Sequence, residues 1–292
     1  MVSRFLSCVF FSALVLFVVA QDIGTDRVSL GKITDSRLNE LSGLVNSRRD
    51  PSFFWTHNDS GDSARIFLID KQAKLRCVVR LEGVDLVDTE DIAWFKKDGR
   101  SYLLLADIGD NRGRRSSVQL YIFEEPEWKA GQSRLSIPRS KIKKINLQYA
   151  DRPRDAEAIF VDPHDLKGYL ISKRDLQVGV YPIDFQQAKD GDTLVLRRTS
   201  SLPMTFITAA DISSDGSRIL LKNLGQVFQW RREANKDIVD VFKQEPDTLS
   251  YQAEPQGEAI CFGLENNVFY TVSERPLGLD AYLYRYQMLS GK

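Results

Sequence analysis

The stretch from Glu90 to Asn111, EDIAWFKKDGRSYLLLADIGDN, reads as two short strands, Ile92 to Phe95 and Tyr102 to Ala106, joined by the turn Lys97-Asp98-Gly99. Carboxylates stand at both open ends of this hairpin. The phrase recurs in degenerate form, with aligned starts at Gly43, Asp91, Ala158, Asp211 and Ala259, spaced 48, 67, 53 and 48 residues apart. Repeats of about 40–50 residues built from four short strands are the signature of a β-propeller. The outer strands are expected at Arg65 to Ile69 and Leu75 to Leu81, then Val118 to Phe123 and Lys141 to Tyr149. They continue at Gly179 to Ile183 and Thr193 to Arg197, and at Val227 to Trp230 and Ile238 to Phe242. The last unit has only three strands of its own, ending with Ala281 to Met288, and the orphan strand Arg27 to Ile33 supplies its fourth. The reading is an all-β, five-bladed propeller closed by an N-terminal strand. Six blades is the alternative if the insertion Glu124 to Arg139 is ordered.

Residues 1 to 20 carry Arg4 and then an apolar run ending Val18-Val19-Ala20, the pattern of a cleaved secretory signal. The expectation is a secreted, extracellular protein whose residues 21–292 form one propeller domain, monomeric and with no membrane span after cleavage. Forty basic residues balance forty acidic ones, which removes the electrostatic case for nucleic acid. Cys77 and Cys261 remain after the signal, and spacing alone leaves open whether they pair or stay as buried thiols.

In a propeller the inner strand leaves one face and the second strand returns to it, so the starts of the first and the ends of the second converge. The starts read Ser42-Gly43, Glu90-Asp91, Glu157-Ala158, Ala210-Asp211 and Glu258-Ala259. The ends read His57-Asn58-Asp59, Asp107 with Asp110-Asn111, Lys173-Arg174-Asp175, Lys222-Asn223 and Ser273-Glu274-Arg275. Like charges converging on a narrow mouth raise one another's pKa and need a compensating cation. One solution is a ring of salt bridges to Lys173, Arg174, Lys222 and Arg275. Another is a hard cation such as Ca²⁺, held by oxygens of Asp59, Glu90, Asp107, Asp110, Glu157 and Glu258. A third is a cationic or polyhydroxylated ligand, a small molecule, glycan or extracellular protein, contacting His57, Asn58, Asp59, Asp91, Lys173, Arg174, Asp211, Lys222, Glu274 and Arg275. Binding without catalysis is the preferred class. The alternative is a calcium-dependent hydrolase of phosphoesters or glycosides with His57, Glu90, Glu157 and Glu258 as candidate catalytic groups. His57 reads either as a satisfied structural histidine or as a general base. Asn58-Asp59-Ser60 is also a glycosylation sequon, but a glycan there would block the mouth.

The phrases ELSGLVNSRRDPSFFWTHNDSGDSARIFLID, DTEDIAWF, YLLLADIGDN, AADISSDGSRILL and PQGEAICF resemble a family of secreted, mostly bacterial β-propeller proteins. The resemblance implies the propeller fold and export and brings no activity with it. A distant similarity to phytase-like propellers rests on the starts GEAI and AEAI, and implies an acidic channel that binds calcium.

Overall fold

Along the inner strand Leu41–Asn46, alternate side chains point to opposite faces and both faces are apolar. Leu44 joins a cluster with Ala259, Cys261 and Val268, whereas its neighbour Val45 joins another with Ile92, Leu103 and Leu105. A sheet buried on both faces needs a neighbouring sheet on each side, and repetition of that demand bends the sheets into a ring. The computed structural model describes residues 21–234 and 236–289, so the proposed signal sequence lies outside the described residues.

Five sheets form five blades. Blade 1 runs Leu41–Asn46, Phe53–Asn58, Arg65–Asp70 and Leu75–Leu81, and blade 2 runs Asp91–Lys97, Arg100–Asp107, Val118–Glu124 and Lys143–Tyr149. Blade 3 is Ala156–Val161, Gly168–Ser172, Val178–Ile183 and Ser200–Leu202; blade 4 is Ala209–Ile212, Arg218–Lys222, Val227–Arg231 and Asp247–Leu249. Blade 5 takes Ala259–Phe262, Val268–Val272 and Tyr282–Met288 from the end of the chain and its outermost strand, Thr25–Lys32, from the beginning. That last pairing is antiparallel, with Arg27 opposite Tyr286, so the ring closes as expected. Each of the five apolar clusters draws on two adjacent blades. The blade-2 hairpin turns through Asp98 and Gly99, both at positive φ (49° and 77°), the two-residue geometry that the Asp-Gly pair favours.

Two outer-strand expectations are corrected. Thr193–Leu196 is a strand, but it pairs parallel with Lys143–Tyr149 of blade 2, and the outer strand of blade 3 is Ser200–Leu202. Ile238–Val241 is a helical turn, capped by Asp237 whose carboxylate accepts from the Val239 N–H at 2.8 Å, and the outer strand of blade 4 is Asp247–Leu249. The apolar residues Ile238, Val241 and Phe242 carry helical spacing and pack on Phe160 and Trp230 between blades 3 and 4. The insertion after Glu124 is ordered without adding a blade, since its strand Arg134–Ile137 pairs parallel with Leu75–Leu81 of blade 1. Asp22–Ile23 does the same on blade 4. In three places, then, the segment leading into one blade's outermost strand first covers the open edge of the blade before it, protecting exposed N–H and C=O groups. Cys77 and Cys261 are separate buried thiols in different clusters.

Two aspartates fasten the inner ring. Asp91 accepts from its own Ile92 N–H (2.8 Å) and from Ile159 N–H of blade 3 (2.9 Å). Asp211 accepts from Ile212 N–H (2.8 Å) and from Phe262 N–H of blade 5 (2.7 Å). Replacing Asp211 by alanine strands two buried donors, each worth about 1–3 kcal/mol. Asp211→Ala is therefore expected to lower stability by about 2–4 kcal/mol, seen as a lower urea midpoint at an unchanged m-value.

Candidate functional site: an acidic axial mouth

The carboxylates that converge on the axis come from strand ends and from the residues just outside them. Glu90 and Glu258 immediately precede inner strands, Asp59 follows the second strand of blade 1, and Glu274 follows that of blade 5. Glu157 sits in a β-bulge between Ala156 and Ala158, where the extra residue is left without a cross-strand partner and its side chain is re-aimed. Asp88 and Asp155 join from the loops entering blades 2 and 3.

These seven groups form one chain of contacts. Oxygens of Asp59, Asp88 and Glu90 lie within 4.8 Å of one another, as do those of Asp59, Glu258 and Glu274, and those of Glu90, Asp155 and Glu157. Asp59 and Glu90 each belong to two triads. Glu90, Glu157, Glu258 and Glu274 are all buried. The ammonium of Lys173 stands among them, bonded to Glu157 Oε1 and 3.7 Å from Glu258 Oε1. Arg174 answers Asp155 at 2.6 Å from the rim. Asp59 Oδ1 and Glu157 Oε2 are buried with no hydrogen-bond partner among the described residues.

The electrostatics follow from that crowding. Burial first, and then repulsion from Glu258 against the pull of Lys173, push the Glu157 carboxyl up to about 8. Burial, repulsion from Glu258 and Asp59, and a hydrogen bond shared with Glu258 push Glu274 up to about 9. Burial raises Asp59 to about 6, with Asp88 and Glu258 adding to it. Glu90 is raised well above the ordinary carboxylate range by burial and by Glu157, Asp59 and Asp88. Asp88 is raised by burial and by Asp155. Burial pulls the Lys173 ammonium down, but Glu157 more than offsets it and the net shift is upward.

Of the residues expected at the mouth, Asp59, Glu90, Glu157, Glu258, Glu274 and Lys173 come together. Asp107 and Asp110 stand outside the triads and organise the loops instead. Asp107 pairs with Arg115 and accepts from the Val87 and Asp88 N–H groups, and Asp110 accepts from the Arg114 and Arg115 N–H groups. Asp91 and Asp211 are committed to the strand bonds described above. Asn58 is buried and donates its amide to Arg37 O (2.9 Å) and Asp62 Oδ2 (2.8 Å), so the sequon nitrogen is engaged. His57 is 1% exposed, with Nδ1–H donating to the carbonyl of the next residue, Asn58, at 2.9 Å. Its Nε2 lies against Gly43, where an added Cβ would stand 2.4 Å away, and burial lowers its pKa to about 4. Lys222 is buried over the Tyr251 ring, 4.8 Å from its centroid, and donates to the Gly257 and Asn223 carbonyls. Burial lowers it to about 8 against the pull of Glu254 and Glu258. Arg275 keeps its Nε buried and unpaired, and Arg174 also reaches Asn111.

Asp88 and Asp155 were not anticipated, yet a signal for both is in the chain. Asp88-Thr89-Glu90 and Asp155-Ala156-Glu157 repeat the pattern Asp-x-Glu, and residues two apart in an extended segment share a side. Gly109 in the phrase ADIGDN has its own role here. A Cβ on it would fall 2.1 Å from Glu90 Oε1 and 2.5 Å from Asp88 Oδ2, so its bareness makes room for two carboxylates.

No family model matches the chain, and no curated protein matches it. Among solved structures it is similar to an auxiliary nutrient binding protein from Bacteroides thetaiotaomicron, at 11% identity and a TM-score of 0.49. That similarity covers 92% of this chain and 65% of the other, so this chain spans just under two thirds of that protein's length. At this level it carries no argument about what this chain binds.

Two predictions come from the geometry. Gly109→Ala is expected to lower the melting temperature by forcing Glu90 and Asp88 apart; Gly109 does not hold a left-handed backbone, so the loss reports that crowding, whereas Gly61→Ala, at a positive φ of 82° with nothing within 4 Å of the added Cβ, reports backbone strain without crowding. The second concerns pH. Carboxyls raised in the folded state bind protons that the unfolded chain has released, so their stabilising contribution is lost as pH rises through the folded values. Glu157 at about 8 and Glu274 at about 9 therefore make metal-free protein less stable at pH 8 than at pH 6.5, seen as a fall in melting temperature in chelator. Below 6.5 His57, lowered to about 4, works in the opposite direction, as does Lys222 above about 8.

Proposed function

We propose that this protein is an exported, ligand-binding propeller whose axial mouth takes a cation, with Ca²⁺ as the preferred ion. The observation that carries this reading is the imbalance of charge: seven carboxylates crowd together, and one ammonium, that of Lys173, stands inside the cluster. Two of their buried oxygens, Asp59 Oδ1 and Glu157 Oε2, have no hydrogen-bond partner among the described residues. An all-oxygen donor set suits a hard ion of about six to eight ligands. Zinc would want nitrogen or thiolate donors, and His57 Nε2 is packed against Gly43 while both thiols are buried in apolar clusters. The triad Asp59, Asp88 and Glu90 is the seat of choice, because Lys173 bonds to the other side of the cluster, to Glu157 and Glu258. Export rests on the apolar run of residues 1 to 20.

A hydrolytic reading would use Glu274 as acid and Glu258 as base, since one is held protonated beside the other. Their oxygens lie within 4.8 Å and share a hydrogen bond, leaving no space for a scissile bond between them. Retaining glycosidases separate their carboxyls by about 5–5.5 Å and inverting ones by more. For this pair binding is favoured over turnover, and among the expected catalytic groups Glu90 and Glu157 likewise have oxygens within 4.8 Å of one another while His57 is buried with Nε2 against Gly43.

Calorimetric titration with Ca²⁺ at pH 8, alongside melting curves with Ca²⁺ and with chelator, tests the reading. At a hundredfold excess over Kd, a ligand of the folded state adds about 2.7 kcal/mol, which for a domain of this size raises the melting temperature by about 5 °C or more. Glu90→Gln should weaken binding by about tenfold or more, a loss of at least about 1.4 kcal/mol. Lys173→Met should strengthen it while lowering the stability of metal-free protein. No heat and no thermal shift with Ca²⁺ or Mg²⁺ would leave the carboxylates as a network held by protons and Lys173, and the proposal would fail.

A further inference from the structure

The loops that surround the mouth carry large apolar side chains in solvent. Among the described residues ten large apolar side chains are exposed, and six of them, Val87, Leu176, Phe206, Leu224, Leu277 and Leu279, lie in loops of the mouth face. Val87 is in the loop between blades 1 and 2 and Leu176 in the second-to-third-strand loop of blade 3. Phe206 lies between blades 3 and 4, Leu224 in blade 4, and Leu277 and Leu279 in blade 5. Among the described residues, Leu264, in a turn, and Leu289, after the third strand of blade 5, stand at the opposite face. Scattered single exposures need no explanation, but a set gathered around one opening does. Leu176 is 92% exposed and Leu277 is fully so. Phe206 and Leu277 moreover hold φ at 56°, a left-handed conformation that disfavours large L side chains by about 1 kcal/mol or more.

We propose that this face docks a protein partner that inserts one lysine or arginine side chain among the mouth carboxylates and lays an apolar surface on the collar of loops around it. The proposal rests on the cation-accepting reading of the mouth and specifies its occupant. The chemistry of the cluster selects the partner class, because seven carboxyl groups that give up protons to an incoming cation favour a basic side chain and offer no counter-charge to the phosphates of membranes or nucleic acids. The protein already contains a precedent. Lys173 enters the same cluster with its side chain 10% exposed and is held by Glu157 and Glu258, while the triad Asp59, Asp88 and Glu90 offers a second seat. A buried ammonium needs carboxylate partners and the exclusion of water. An apolar collar pressed against a partner provides that exclusion, as the rim does around the central anchor of a protein interface.

The test uses residues 21–292 and three soluble peptides, each with glycine-serine flanks. The first carries a lysine between two pairs of leucines, the second replaces the leucines by serine, and the third replaces the lysine by glutamate. The first peptide is expected to bind, to be displaced by Ca²⁺, and to bind about tenfold more weakly to a Leu277→Ser, Leu279→Ser double variant, a loss of about 1.4 kcal/mol. Ca²⁺ titration of that variant should be unchanged, which separates the collar from the cation seat. Equal binding of the serine or glutamate peptide, or no effect of the double variant, would overturn the proposal. Ca²⁺ binding without binding of the lysine-leucine peptide would also overturn it and leave the cation reading intact. Failure of both ligands would remove both.

Discussion

Like charges held within a few ångströms of one another set the terms for the rest of this molecule. Seven carboxylates converge from blades 1, 2, 3 and 5 around one lysine, and burial deprives them of the water that would otherwise screen them. Such a cluster persists only on a frame that cannot relax by spreading. The closed ring provides that frame, because moving one inner strand outwards would open an apolar cluster on each of its faces. Asp91 and Asp211 add direct bonds from one inner strand to the next, so the carboxyls above them stand on a fastened base.

The frame in turn depends on how the chain guards its edges. Three blades carry a fifth, parallel strand borrowed from the segment that leads to the next outermost strand, and a helical turn covers the junction of blades 3 and 4. At the junction of blades 5 and 1, where the chain's first full strand closes the ring, Gly31 stands so near Gln72 that an added Cβ would lie 2.2 Å from its carbonyl oxygen. The closing strand is therefore seated against backbone as well as paired with Tyr282–Met288.

Much of this was legible from residues alone, for identifiable reasons. The hairpins declare themselves because Asp98-Gly99 allows only a tight turn between two alternating runs, and the orphan strand at Arg27 declares itself by having no partner nearby. The face that carries the charges followed from strand direction. What strand patterns could not convey was attachment between blades: Thr193–Leu196 has strand composition whichever edge it joins. Ile238, Val241 and Phe242 did carry helical spacing, but over too short a run to outweigh the rhythm of the repeat. At the site, acidic columns exposed Glu90, Glu157 and Glu258, and the Asp-x-Glu repeat could have exposed Asp88 and Asp155. The engagement of His57, Asp107 and Asp110 with nearby backbone and with Arg115 depends on side-chain geometry that spacing does not record.

For a cation to find its seat at the mouth, the buried carboxyls there must hold protons at neutral pH until the ion replaces them. Carbon-13 NMR of protein labelled at glutamate side-chain carboxyls measures this directly, with Glu157→Gln and Glu274→Gln assigning the resonances. In metal-free protein the Glu157 and Glu274 signals are predicted to titrate near 8 and 9, and to move to lower pH when Ca²⁺ is added. Titration of both groups in the ordinary glutamate range of about 4–5, with or without Ca²⁺, would contradict it.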